Sequence, residues 1–143
     1  MAKSRLIDRM FRAFSDRTRL RILALLQEGE CCVGDLVEVL RVEQPSASRH
    51  LAYLRRAGLV VRRRAGQWSY YSLAPATAAF HAKLLECLAC CFSDVPELRR
   101  DAARARKVRK AGGCCPEPSR TAAAEGDGRA VCCPSPPPCQ LAP

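Results

Sequence analysis

Residues 43–73 read EQPSASRHLAYLRRAGLVVRRRAGQWSYYSL, a polar, proline-opened helical segment that gives way to two β-rich runs around a glycine. Pro45 suits the first turn of a helix, where its missing N–H costs nothing, and Gly58 is placed to close that helix. Ala47, Leu51 and Leu54 fall at i, i+4 and i+7, so one face is apolar. The opposite face carries Gln44, Ser46, Ser48, Arg49 and His50. From Leu59 the period changes. A β-branched, basic run and an aromatic run flank Ala65-Gly66, which predicts a two-stranded hairpin with a glycine turn.

Working outward, Leu36, Val37 and Leu40 predict a short helix beginning near Cys31 to Val33, so residues 33–57 read as a helix-turn-helix. Upstream, residues 4–27 carry apolar positions at helical spacing, with Ser15-Asp16 as the cap between two helices and Gly29 ending the second. Downstream, a fifth helix is expected from Pro75 to about Phe92 and a sixth over 95–110. Beyond Gly112-Gly113 the composition turns to Pro, Ala, Gly, Ser and Cys, too poor in apolar surface to offset its ordering entropy. The expectation is a mainly α fold with a β-hairpin wing (a winged helix-turn-helix) and a disordered Cys-rich tail. Residues 1–92 are expected to form the winged helix-turn-helix domain, 93–111 a basic C-terminal helix and 112–143 the tail.

A chain of 143 residues supports one domain with a modest core. No stretch approaches the length of a membrane span and no secretory leader opens the chain, so a cytoplasmic protein without a membrane partner is expected. Ten cysteines in that reducing compartment read as soft-ion ligands, redox sensors or small buried hydrophobes rather than as a disulfide framework. The net charge of +10 calls for a polyanionic partner. It is concentrated between residues 41 and 64, where seven arginines (41, 49, 55, 56, 62, 63 and 64) face one acid, Glu43. Short hydroxyls, an amide and an arginine near a helix N-terminus suit base edges in a major groove, with Arg to guanine and Gln to adenine as the favoured pairs. Arg62, Arg63 and Arg64, with Gln67 at the hairpin tip, are suited to phosphates or the minor groove. His50 alone is as well explained by a surface position. The partner expected is double-stranded operator DNA.

RLRILALLQEGECCVGDLVEVL (19–40), followed by the stretch quoted above, resembles the ArsR/SmtB family of metal- and metalloid-responsive winged-helix repressors, and its arsenic-responsive branch in particular. The similarity covers roughly residues 5–92. It implies a homodimer, joined through its first and last core helices, that occupies an operator of dyad symmetry until an inducer arrives. The apolar stripe Phe80, Leu84, Leu88 on the fifth helix independently needs a partner. In that branch the third helix often opens Glu-Leu-Cys-Val-Cys-Asp-Leu. Here Glu30-Cys31-Cys32-Val33-Gly34-Asp35-Leu36 keeps the first thiol as Cys32, replaces the second with Gly34 and adds Cys31. Thiolates at a helix N-terminus are favoured by its unpaired N–H groups, so both remain candidate ligands.

The second thiol cluster is ECLACC, residues 86–91. Cys87 and Cys91 continue the apolar stripe and are explained by packing as readily as by ligation. Cys90 follows Lys83 and Glu86 on the polar side, where packing is no explanation. Cys87 lies within reach of Cys90 or Cys91 around one soft ion, whereas adjacent Cys90 and Cys91 diverge by about 100° on an ideal helix and require fraying near Phe92. The tail adds Cys114 and Cys115 as donors that can fold back, and Cys132, Cys133 and Cys139 with no assigned role. Zinc-sensing relatives carry carboxylate and His ligands where this chain has Ala74-Pro75-Ala76-Thr77. A thiol-only donor set favours trivalent arsenic or antimony over cadmium, lead or monovalent copper, as an inducer and not as a prosthetic group. A redox- or persulfide-sensing repressor of the same fold is the alternative. A thiol-dependent arsenate reductase would need an anion cradle beside its nucleophile, which the sequence lacks, and a metal buffer would not need the arginine-loaded hairpin. No enzyme is expected.

Overall fold

The computed structural model describes residues 2–113. Helix α1 (Ala2–Phe14) buries Met10 and Ala13 and ends where Ser15 Oγ donates to Arg12 O at 2.7 Å. Asp16 caps α2 (Arg17–Gln27) by accepting from the Arg19 N–H at 3.0 Å. The α2 helix is the centre of the core, with Ile22, Leu23, Leu25 and Leu26 all buried. Helix α3 (Val33–Leu40) stops at Arg41, whose φ of 55° and ψ of 45° put a non-glycine residue in the left-handed region. That turn aims α4 (Gln44–Arg56), which has Pro45 in its first turn and Ala47, Leu51 and Leu54 fully buried, the three positions its periodicity picks out. Truncating either leucine to Ala would cost about 2–5 kcal/mol. Gly58, at φ +79°, closes the helix, with its N–H on Arg55 O at 3.0 Å.

The wing is a sheet of three strands, not the expected two. β1 (Cys31–Cys32) pairs antiparallel with β3 (Trp68–Leu73), which pairs antiparallel with β2 (Val60–Ala65), in the order β1-β3-β2. A two-residue strand carries no readable period, and its partner is some forty residues away, so sequence pattern alone assigned Cys31 and Cys32 to the start of α3. Helix α5 (Ala79–Cys91) starts four residues later than expected from Pro75, because Ala74 is still tied to the hairpin base by its N–H on Leu59 O at 2.9 Å. Helix α6 (Pro96–Lys110) turns back across α2 and α3 and buries Asp101 and Ala105, so one core runs on both sides of residue 92. Among the described residues, no helix is long and apolar enough to cross a membrane.

Candidate DNA-reading face and thiol cluster

On α4, Gln44, Ser48, Arg49, Arg55 and Arg56 are exposed and Ser46 is half-buried. His50 is half-buried, with its Nδ1 3.8 Å from Asp16 Oδ1, and it lines a concavity beside Arg49. Two shallow concavities flank the helix. One is walled by Arg19, Arg49, Tyr53 and Arg56, with the Arg19 guanidinium 4.2 Å above the Tyr53 ring. The other lies between α4 and the wing, with Arg55, Arg56 and Arg62 around Val60 and Val61. Arg55 and Arg56, already among the seven arginines of the 41–64 stretch, thus line the basic surface, whereas Arg19 is tied to the end of α1 by its bonds to Ala13 O and Arg12 O.

The three wing arginines do not share one environment, because side chains alternate along a strand. Arg62 and Arg64 oppose Tyr71 and Ser69 and are exposed. Arg63 opposes Tyr70, lies 4.6 Å over its ring and reaches Glu30 Oε1 at 2.8 Å, which ties the wing to the segment leading into β1. Gln67 is exposed in the turn beside Gly66, whose φ of +60° the turn requires.

Strand alternation also divides Cys31 from Cys32. Cys31 packs into the main core, with Arg109 Nη2 3.9 Å from its sulfur. Cys32 packs on the other face beneath Tyr70, where its Sγ accepts the Asp35 N–H at 3.3 Å and caps α3. The two sulfurs therefore do not converge as a ligand pair. On α5 packing does not account for Cys87 and Cys91. The stripe Phe80, Leu84, Leu88 is completed by Phe92, while Cys87 and Cys91 are exposed. Phe92 sits four residues after Leu88 and takes the place that the pattern gave to Cys91. The adjacent thiols of Cys90 and Cys91 do converge, Sγ to Sγ at 3.5 Å, where the helix ends and Phe92 leaves helical geometry at φ −112°, ψ 10°. Two sulfurs each about 2.3 Å from a common soft centre stand about 3.3–3.8 Å apart. Among the described residues no group of three or more His, Cys, Asp or Glu side chains could hold a metal ion. Cys114 and Cys115 lie outside the described residues.

Residues 16–61 match the family described as "Bacterial regulatory protein, arsR family". The chain is 46% identical over 78 residues to the arsenical resistance operon repressor of Escherichia coli, which takes in 54% of this chain and 67% of that protein. It is 49% identical over 67 residues to the arsenic resistance transcriptional regulator ArsR1 of Pseudomonas putida, covering 46% of this chain and 52% of that one. Among solved structures, HlyU from Vibrio cholerae matches with a TM-score of 0.53 and 34% identity over 60% of this chain and 90% of its own. With the wing, the α4 face and these relatives in agreement, the chain belongs to the arsR family of bacterial regulatory proteins, DNA-binding transcriptional regulators of the winged helix-turn-helix class.

Proposed function

We propose that this regulator is a repressor that binds operator DNA as a homodimer and leaves it when trivalent arsenic or antimony is captured by thiolates at the end of α5. Repression is carried over from the name of the E. coli relative, and the link to arsenic from the names of the E. coli and P. putida relatives. The observation specific to this chain is the 3.5 Å approach of Cys90 and Cys91. Gln44, Ser46, Ser48 and Arg49 read base edges, while Arg62 and Arg64 hold phosphates with Gln67 at the tip. Cys87, one turn back, or Cys114 or Cys115 of either chain supplies a third sulfur. Cys31 and Cys32 serve packing and capping. The dimer forms through α1 and α5, where Phe11 is 55% exposed with its ring 5.1 Å from that of Phe80.

The test is operator binding by fluorescence anisotropy with and without arsenite. Serine at Cys90 or Cys91 keeps the volume and removes the soft donor, so these variants are expected to bind DNA normally and to need at least about tenfold more arsenite for release. Normal release in both would move the site away from α5. The same sulfur approach supports a redox-sensing reading. An oxidant that releases the protein while arsenite does not would favour it.

A further inference from the structure

Helix α6 carries a side chain that DNA reading does not obviously need. Asp101 is 1% exposed, deep between α6 and α2. Its carboxylate accepts both arms of the Arg21 guanidinium, from Nε at 2.6 Å and from Nη2 at 2.8 Å, and accepts Arg104 as well. Arg21 is itself only 13% exposed at its side chain, and Glu97 stands 3.7 Å from its Nε. The hydrogen bonds Arg21 donates to Asp101 push its pKa up, against the opposing effect of burial. A buried ion pair of this kind recovers little more than its desolvation cost, and apolar residues of similar volume would hold α2 and α6 together as well. What apolar residues could not do is the third bond. The same Nη2 donates to Leu40 O at 3.1 Å.

That carbonyl is the last of α3. The next residue, Arg41, makes the left-handed turn that sets the direction of α4. One guanidinium thus links α6 to the turn of the helix-turn-helix. The other end of α6 leads directly to the thiols, since residues 92–95 alone separate Cys91 from Pro96. Beside that connection, a cleft of about 190 Å³ opens between α2, the end of α5 and α6, lined by Leu88, Phe92, Leu98 and Asp101 among others. A shift of the first half of α6 relative to that cleft would withdraw Asp101 from Arg21.

We propose that Arg21 and Asp101 are positioning residues for operator reading: the place of α6 fixes the α3–α4 turn through Leu40 O, and so sets the angle at which α4 meets the groove. The inference rests on the DNA-binding reading, and two measurements separate the fates of the two. Arg21→Lys keeps a cation for Asp101 but lacks the fork that serves Leu40 O at the same time. Arg21→Met/Asp101→Leu removes the ion pair and fills its volume. Amide hydrogen exchange across residues 40–43 reads the bridge without DNA. A duplex selected by the wild-type protein from random sequence, titrated against a scrambled duplex of equal length, reads recognition. In folded variants the turn is expected to exchange faster, and the preference for the selected duplex to fall about tenfold with scrambled-duplex affinity unchanged. Unchanged exchange in a folded variant overturns the bridge. So does faster exchange with full duplex preference, and so does failure of both variants to fold, which makes the contact purely structural. Wild-type protein that selects no duplex, with the exchange result intact, instead overturns the DNA-binding reading.

Discussion

Arg41 holds the turn between α3 and α4 in a conformation that costs a non-glycine residue about 1 kcal/mol. Glycine is the residue for which that backbone is unstrained, and Arg41 is an exposed member of the arginine-rich 41–64 stretch, so replacing it tests whether its guanidinium meets the duplex. Arg41→Gly is expected to leave stability to urea unchanged or raised by up to about 1 kcal/mol, while the log–log salt dependence of DNA binding flattens by about one unit. A variant with an unaltered slope would remove Arg41 from the contact surface. The wing arginines divide in the same experiment. Arg62→Ala and Arg64→Ala should each flatten the slope by about one unit, whereas Arg63, committed to Glu30 and Tyr70, should change it little and instead lower the stability by about 1 kcal/mol. Equal slopes in all three variants would contradict the alternation.

At the scale of the element, the α4 face was legible because a buried triad at i, i+4 and i+7 leaves its opposite side defined, and Leu51 and Leu54 are fully buried as that pattern requires. The wing hairpin was legible from its glycine and change of period. Three features were not fully so. β1 is too short to show a period and depends on a partner distant in sequence. The convergence of Cys90 and Cys91 was legible only as a condition, fraying near Phe92, because an ideal helix holds the two apart and how α5 ends is not written in its spacing. The burial of Asp101 inside a strongly basic helix is visible only once Arg21 lies opposite. Helix α5 also holds His81, fully buried, with Nδ1 accepting the Thr77 N–H at 3.4 Å and, among the described residues, no hydrogen-bond partner for Nε2. Burial pushes its pKa below 6.5, so the imidazole stays neutral in the fold when the unfolded chain takes up a proton. Its contribution is fully present above the unfolded value and is lost as pH falls through about 6.5 toward the lowered folded value. His81→Asn keeps an acceptor for Thr77 without the proton, and between about pH 7.5 and 5 its unfolding temperature should fall less than that of the wild type. Parallel pH profiles would exclude His81 as the cause.

For the whole molecule, the proposed dimer makes one apolar side chain count twice. Phe11 stands exposed beside Phe80, and a two-fold interface would bury one copy from each protomer. Phe11→Ala is expected to weaken dimerisation about a hundredfold or more, seen by sedimentation equilibrium, and to cost operator affinity in proportion while the protomer stays folded. An unchanged dimer would place the interface elsewhere. The three-stranded wing bears on how such a dimer finds DNA. Glu30 and Tyr70 clamp Arg63 from the body side, and β1 anchors β3, so the hairpin meets the duplex already shaped. The rate of capture is then governed by diffusion through the field of the arginines, and falls steeply as salt shortens its range. Complex lifetime, by contrast, is left to the base-reading contacts of α4. A promoter site would be found at nearly the speed of any other DNA and distinguished by how long the protein stays.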